Sequence, residues 1–275
     1  MIKQSILLLL AIISGFSSMA QLSDKDALSF AVRTPEPFLF SRTTLTSSDI
    51  PWSMEYSTSY GERVSGAFGF EGVGQQLGIK GYLGNKLTLC GQAAFGFDHQ
   101  HNVTSAQLAE VIRNFIGGTK TQGLRLGVGL GVSRDFGGVV SILSRITATY
   151  VLNNWKAGGN MLIQKSLSAN RDAVDLISSI GFHHRIYGNL YGGFETVGED
   201  IEGFWDPEEA EGGAKLMVGP SLNMTTKDSR MSFSVSGGPV FYATQNLATN
   251  PVALRELPSQ NGLTLRAKVI FNLSR

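Results

Sequence analysis

Leu263-Thr264-Leu265-Arg266-Ala267-Lys268-Val269-Ile270-Phe271-Asn272-Leu273-Ser274 lies next to the C-terminus and alternates. Leu263, Leu265, Ala267, Val269, Phe271 and Leu273 fall on one side of an extended strand. Thr264, Arg266, Lys268, Asn272 and Ser274 fall on the other, with Ile270 the single apolar exception. A period of two makes one face of the strand greasy and the other wet. Such a strand serves a water-surrounded β protein with its apolar face turned in, or a membrane barrel with that face turned out. The rest of the chain decides between them.

The N-terminus carries an export pattern. Lys3 supplies a positive start, Ile6–Ile13 an apolar run, and Ser18-Met19-Ala20 a small-x-small cleavage site. Residues 1–20 therefore read as a signal peptide. The run is far shorter than the ~20 apolar residues of a spanning helix, and no later stretch is long enough either. Removing Lys3 with this segment leaves 22 basic and 22 acidic residues, so no basic excess points to nucleic acid. Cys90 is the sole cysteine, which excludes an internal disulfide framework; among Leu87, Leu89, Ala93 and Phe95 it reads as a packed small residue.

Residues 21–51 are polar and irregular, with Pro35, Pro37 and Pro51, and read as a periplasmic N-terminal arm near the barrel mouth. From Trp52 onward, alternating segments are separated by Gly, Asn, Asp and Ser, the residues that supply turn geometries. Twelve segments follow: 52–60, 63–71, 75–83, 86–98, 123–134, 139–152, 155–167, 172–185, 188–199, 213–226, 230–244 and 262–274. Their lengths suit the ~9–11 residues of a membrane-crossing strand. Leu124, Leu126, Val128, Leu130 and Val132 oppose Arg125 and Ser133, and Leu222 and Met224 oppose Ser221 and Asn223.

Charged residues make up only 16% of the chain, and the polar faces are rich in Ser, Thr, Gly and Asn. A face so poor in charge suits an enclosed lumen better than an open surface. Trp52, Tyr60, Tyr150, Trp155, Tyr187 and Tyr191 stand near segment ends, as interfacial girdles require. The expected fold is all-β: an antiparallel up-and-down transmembrane barrel of about 12 strands over 52–275.

In Val103–Gly118 the apolar residues Leu108, Val111, Ile112, Phe115 and Ile116 follow a helical spacing, with Thr104 or Ser105 as a cap and Gly117-Gly118 as a stop. The expectation is one short amphipathic helix near 104–117. The competing reading makes 106–116 a strand and seeks a fourteenth in 27–41. Both ends of an even-numbered barrel lie on the periplasmic side, which leaves 199–213 and 244–261 as long outward loops. The first is strongly acidic.

Glu55-Tyr56-Ser57-Thr58-Ser59-Tyr60-Gly61, Gln76-Leu77-Gly78-Ile79-Lys80, Gly219-Pro220-Ser221 and Gly237-Gly238-Pro239-Val240 join the C-terminal strand in a wider pattern. With it, the chain resembles bacterial outer-membrane β-barrels, and more loosely the barrels associated with aromatic-compound degradation. Ala20-Gln21 resembles the signal-peptide ends of Bacteroidota exported proteins. The resemblance implies an outer-membrane location and suggests passage of small molecules.

The alternation assigns Glu55, Arg63, Lys80, Arg125, Arg145, Lys156, Asp175, His183, Arg185, Glu195, Lys215, Arg266 and Lys268 to the lumen, with Glu71 beside them. This basic-leaning set reads either as a pore lining that favours anions or as an ion network that fills the barrel. The lipid bilayer is the expected partner, with small solutes in the lumen. A hydrolase needs a nucleophile, a His base and a group that orients the His. His183 beside Ser178 and Ser179 supplies only the residue types, with no Gly-x-Ser-x-Gly elbow. His99-Gln100-His101 near Asp98 reads as a turn, and the acidic loop lacks calcium-loop spacing. No catalytic residue, metal site or cofactor is expected.

Overall fold

The computed structural model describes residues 38–47, 49–61, 72–97, 103–117, 122–152, 154–168, 174–201, 214–243 and 262–273. Twelve strands form one closed ring. They are β1 (Trp52–Gly61), β2 (Gly72–Gly84), β3 (Leu87–Phe97), β4 (Val103–Ile116), β5 (Gly123–Arg134), β6 (Val140–Val151), β7 (Trp155–Ser166), β8 (Val174–Tyr187), β9 (Leu190–Glu199), β10 (Ala214–Thr225), β11 (Met231–Ala243) and β12 (Gly262–Leu273). Each pairs antiparallel with its chain neighbours, and β1 closes on β12 from Trp52↔Leu273 to Gly61↔Thr264. Closure matters because an open edge in hydrocarbon would leave backbone groups unpaired at several kcal/mol each.

The side chains take the sides that the alternation predicts. On β12, Leu263 and Phe271 are 61% and 43% exposed, whereas Arg266 and Lys268 are each 7% exposed. On β5, Leu124, Val128, Leu130 and Val132 stand outward and Arg125 is enclosed. This inverts a water-soluble protein: the large exposed side chains are aliphatic, and the buried ones are mostly polar. Tyr150 and Trp155 meet outside with ring centroids 5.0 Å apart, and Trp155 continues to Phe182 at 6.2 Å. Tyr191 departs from the girdle assignment. It is buried in the lumen, with the Lys156 Nζ 4.0 Å from its ring centroid.

The expected helix near 104–117 is not there; residues 104–116 lie in β4. Thr104, Ala106, Leu108, Glu110, Ile112 and Asn114 point inward, and Gln107, Ala109, Val111, Arg113 and Phe115 outward. Both faces mix apolar and polar residues, so the period of two is erased from the sequence. A helix here would also have left the edges of β3 and β5 unpaired. Arg113, near the end of the strand, lies 5.6 Å from the Phe115 ring, a side chain lying along an apolar surface with its charge near the interface.

The count of twelve stands on a different set of strands from the expected one. β4 joins the ring, and β1 pairs directly with β2. The segment 63–71, counted as a strand in the sequence, lies outside the described residues. The fourteen-strand alternative fails because the ring is complete. Connections alternate in length. At the end where β1 begins and β12 finishes they span 85–86, 117–122, 152–154, 188–189 and 226–230. At the other end they include 200–213 and 244–261. Asn85 and Lys86 both have positive φ, 50° and 63°, which matches the twist of a two-residue hairpin.

Candidate functional site

The lumen is occupied by the chain itself. Residues 38–47 and 49–51 run within the barrel, where Phe38, Leu39, Ser41, Thr43, Thr44, Leu45, Thr46 and Asp49 are all buried. The expected arm near the mouth is, in its described part, an internal segment.

An irregular segment in an enclosed space must find partners for its backbone groups. Barrel side chains provide them. The N–H groups of Leu39 and Phe40 donate to Glu195 Oε2 at 2.8 and 3.0 Å. Lys268 Nζ donates to the carbonyl of Phe38 at 2.9 Å. Asn160 reads both sides of one residue: its Oδ1 accepts from the Arg42 N–H at 2.5 Å, and its Nδ2 donates to the Arg42 carbonyl at 2.8 Å. Leu45 N–H donates to Thr88 Oγ1 at 2.8 Å, and Arg125 Nη1 donates to the Thr44 carbonyl at 3.1 Å. Ser41 Oγ meets Ser179 Oγ at 2.9 Å, and Lys80 Nζ donates to Thr43 Oγ1 at 3.2 Å. The inward Ser, Thr, Asn and charged residues thus act partly as the segment's hydrogen-bonding partners.

Inward glycines supply the space. A Cβ on Gly181 would lie 2.4 Å from Phe38 Cδ1, one on Gly158 2.9 Å from Phe38 Cε2, and one on Gly127 2.5 Å from Thr44 Cγ2. Phe38 fits this notch and packs against His183, with ring centroids 4.7 Å apart.

Ions are mostly enclosed and matched. Arg125 makes a bidentate pair with Asp49, and Arg145 Nε lies 2.7 Å from Glu110 Oε1. Arg42 approaches Glu110 at 3.9 Å. Gln92 Nε2 donates to Glu55 Oε1. Among the described residues, Lys80, Arg125, Arg145, Lys156, Lys215, Arg266 and Lys268 are fully buried, and so are Asp49, Glu110, Asp135, Asp175, Glu195, Glu199 and Asp200. The interior is therefore far nearer to charge balance than the sequence assignment implies. Asp49, Glu110, Asp135, Glu199 and Asp200 do not appear in that assignment. Glu110 was lost in the helix reading and Asp49 in the irregular arm.

Of the residues assigned to the lumen, the twelve within the described residues all point inward, with Glu55 and Arg185 partly buried and the rest fully so. Arg63 and Glu71 lie outside the described residues, as do His99 and His101. Lys156 has no hydrogen-bond partner for its ammonium among the described residues and rests on the Tyr191 ring, while Arg185 lies 5.9 Å from the same ring.

His183 does not meet Ser178 or Ser179 as a catalytic pair. Its Nε2 lies 2.8 Å from Ser221 Oγ, and Ser221 donates its own proton to Glu195 Oε1 at 2.5 Å. The serine hydrogen is thus spent on the carboxylate, and His183 donates to the serine. In a hydrolase the histidine stands between serine and acid and accepts the serine proton. Here the serine stands in the middle, and Phe38 covers the ring.

Above the segment lies a cavity of about 90 Å³ that is continuous with solvent. Leu39, Phe40, Ser41 and Arg42 line its floor, while Leu108, Leu143, Leu162, Ile177 and Val197 stand on one wall with Ser133, Arg145 and Gln164 among them, and Glu55, Ser57, Gln76, Gln92, Arg266 and Lys268 on another. Arg266 stacks on Phe40, its guanidinium carbon 5.0 Å from the ring centroid.

No protein-family model and no curated protein matches the sequence. Solved structures do match the fold. The KdgM porin aligns with a TM-score of 0.52 at 8% identity, covering 80% of this chain and 99% of that one. It is also known in complex with disordered oligogalacturonate. The NanC porin aligns with a TM-score of 0.53 at 7% identity, covering 81% of this chain and all of that one. At such identities the likeness is one of fold. A closed twelve-stranded barrel of this architecture, wrapped in exposed aliphatic side chains, is a bacterial outer-membrane protein.

Proposed function

We propose that the chain forms a narrow passive channel for small solutes, with its own residues 38–49 setting the bore. The observation that carries this reading is the cavity that opens above an internal segment held to the wall by hydrogen bonds with wall side chains. An eight-stranded barrel fills its interior with wall side chains, and a sixteen-stranded porin leaves a wide aqueous channel. A twelve-stranded wall leaves room that the segment partly takes up.

The end carrying the short turns is periplasmic and the end with the long connections faces outward, as in bacterial barrels generally. Residues 1–20 direct export, and residues 49–51 lead into β1 at the periplasmic end. The cavity lining carries Arg42, Arg145, Arg266 and Lys268 against Glu55, so the local field there favours anions although the whole interior is nearly balanced. The fold likeness to porins supports passage rather than catalysis, and so does the order of His183, Ser221 and Glu195.

The balanced ion network favours one rival, a sealed structural barrel. Purified protein in planar bilayers separates the two. The channel reading expects small, discrete conductance steps that grow when Phe38 is cut to alanine. Silence in both proteins would establish the sealed barrel.

A further inference from the structure

We infer that the cavity above the segment is a binding site for small organic anions with an apolar body. This rests on the channel reading above and names its solute class. Leu108, Leu143, Leu162, Ile177 and Val197 point into the cavity, not to lipid. They belong to a continuous buried band that includes Ala94, Ala106, Met217 and Val240 and runs over eight strands. Leu162 faces Ile177 across β7 and β8, and Met217 faces both Val197 and Val240. Lipid does not account for inward side chains. The internal segment covers the band only partly, chiefly through Phe40.

The opposite wall, on β12, β1, β2 and β3, is polar. It presents Arg266, Lys268, Ser57, Gln76 and Gln92, with Glu55 already accepting a hydrogen bond from Gln92. A solute spanning the cavity therefore meets, on one side, aliphatic carbon interrupted by Ser133, Arg145 and Gln164, where Arg145 bonds to Glu110 and Asn160 and Gln164 to Ser133, and on the other side cationic and amide groups. Hydrocarbon gains by leaving water against the first. A polyhydroxylated anion would lose hydrogen bonds there without replacement. A carboxylate is matched to the second.

The test uses the full barrel in nanodiscs, with empty nanodiscs as the blank, and isothermal titration of three probes. Hexanoate and gluconate share chain length and charge; hexylammonium shares the hydrocarbon body and reverses the charge. The expected result is binding of hexanoate, with gluconate and hexylammonium each weaker by about tenfold or more. Leu162→Asn, in a barrel that still shows heat-modifiable gel migration, should weaken hexanoate by a similar factor. Gluconate binding as tightly as hexanoate would overturn the apolar part of the site. Equal binding of hexylammonium would overturn the anionic part, and no binding of any probe would overturn the whole. The three wild-type titrations decide without the variant. Hexanoate binding in a barrel that passes no current would uphold the site while removing the channel reading.

Discussion

Arg125 holds Asp49 through two hydrogen bonds, Nη1 to Oδ2 at 2.9 Å and Nη2 to Oδ1 at 3.1 Å, with both side chains buried. The pair joins the root of the internal segment to the wall near the short-turn end of β5. The same guanidinium donates to the carbonyl of Thr44, so one residue fixes both the turn and the chain beyond it. Thr46 completes the turn, its N–H and hydroxyl donating to Asp49 Oδ2 at 2.7 and 3.0 Å.

Removing one partner of a buried pair leaves the other charge uncompensated, at about 3–5 kcal/mol. Asp49→Asn should therefore lower the thermal midpoint of the barrel and loosen the segment's root. Circular dichroism melting checks the first effect, and noisier, larger single-channel currents check the second.

Gly181 offers a cleaner separation of segment from wall. A side chain there would occupy the space of the Phe38 ring, whereas the ladder of β8 needs no glycine at that point. Gly181→Val should leave barrel assembly intact and displace Phe38. Conductance rises, and protease reaches the N-terminal region faster. An unchanged current with intact folding would contradict the role given to residue 38.

Lys268 lines the cavity and holds the carbonyl of Phe38. Lys268→Gln removes one of the four cationic groups around the solute path. Reversal potentials in a salt gradient should show the anion-to-cation permeability ratio falling severalfold, because a confined charge acts through a poorly screened field.

The β10–β11 seam carries a different constraint. Between the pairs Met217↔Val240 and Ser221↔Ser236 the strands pass at Gly219, Gly237 and Gly238, with Pro220 and Pro239 beside them. A Cβ on Gly219 would fall 1.9 Å from the Gly237 carbonyl oxygen, and one on Gly238 2.2 Å from that of Val218. The obstacle in each case is backbone, which cannot swing aside. Gly238→Val should cost about 1–3 kcal/mol or more. Urea titration followed by heat-modifiable gel migration reads the loss, with current through the surviving barrels unchanged.

How much of this was visible in the sequence depended on what each face had to touch. β12 and β5 were legible because lipid demands aliphatic residues on one side, and the polar interior sets the contrast on the other. β4 was not, because its inner face carries Leu108 and Ile112 as well as Glu110 and Asn114, so neither side keeps one character. The internal segment left no periodic trace, since the backbone of residues 38–45 bonds to side chains from six strands and not to a neighbouring strand. One signal was available: Gly127, Gly158 and Gly181 all fall at inward positions, where a missing side chain means that something else fills the space.

Cross-linking Ser41 to Ser179 tests the occupied lumen most directly, because their hydroxyl oxygens lie 2.9 Å apart across the segment and β8. In a Cys90→Ala background, Ser41→Cys with Ser179→Cys should form a disulfide under mild oxidation in the folded barrel, detected by mass spectrometry of the joined peptides. Free thiols at both positions in a folded barrel, with residue 41 open to a bulky maleimide, would place the segment outside the lumen and contradict the account.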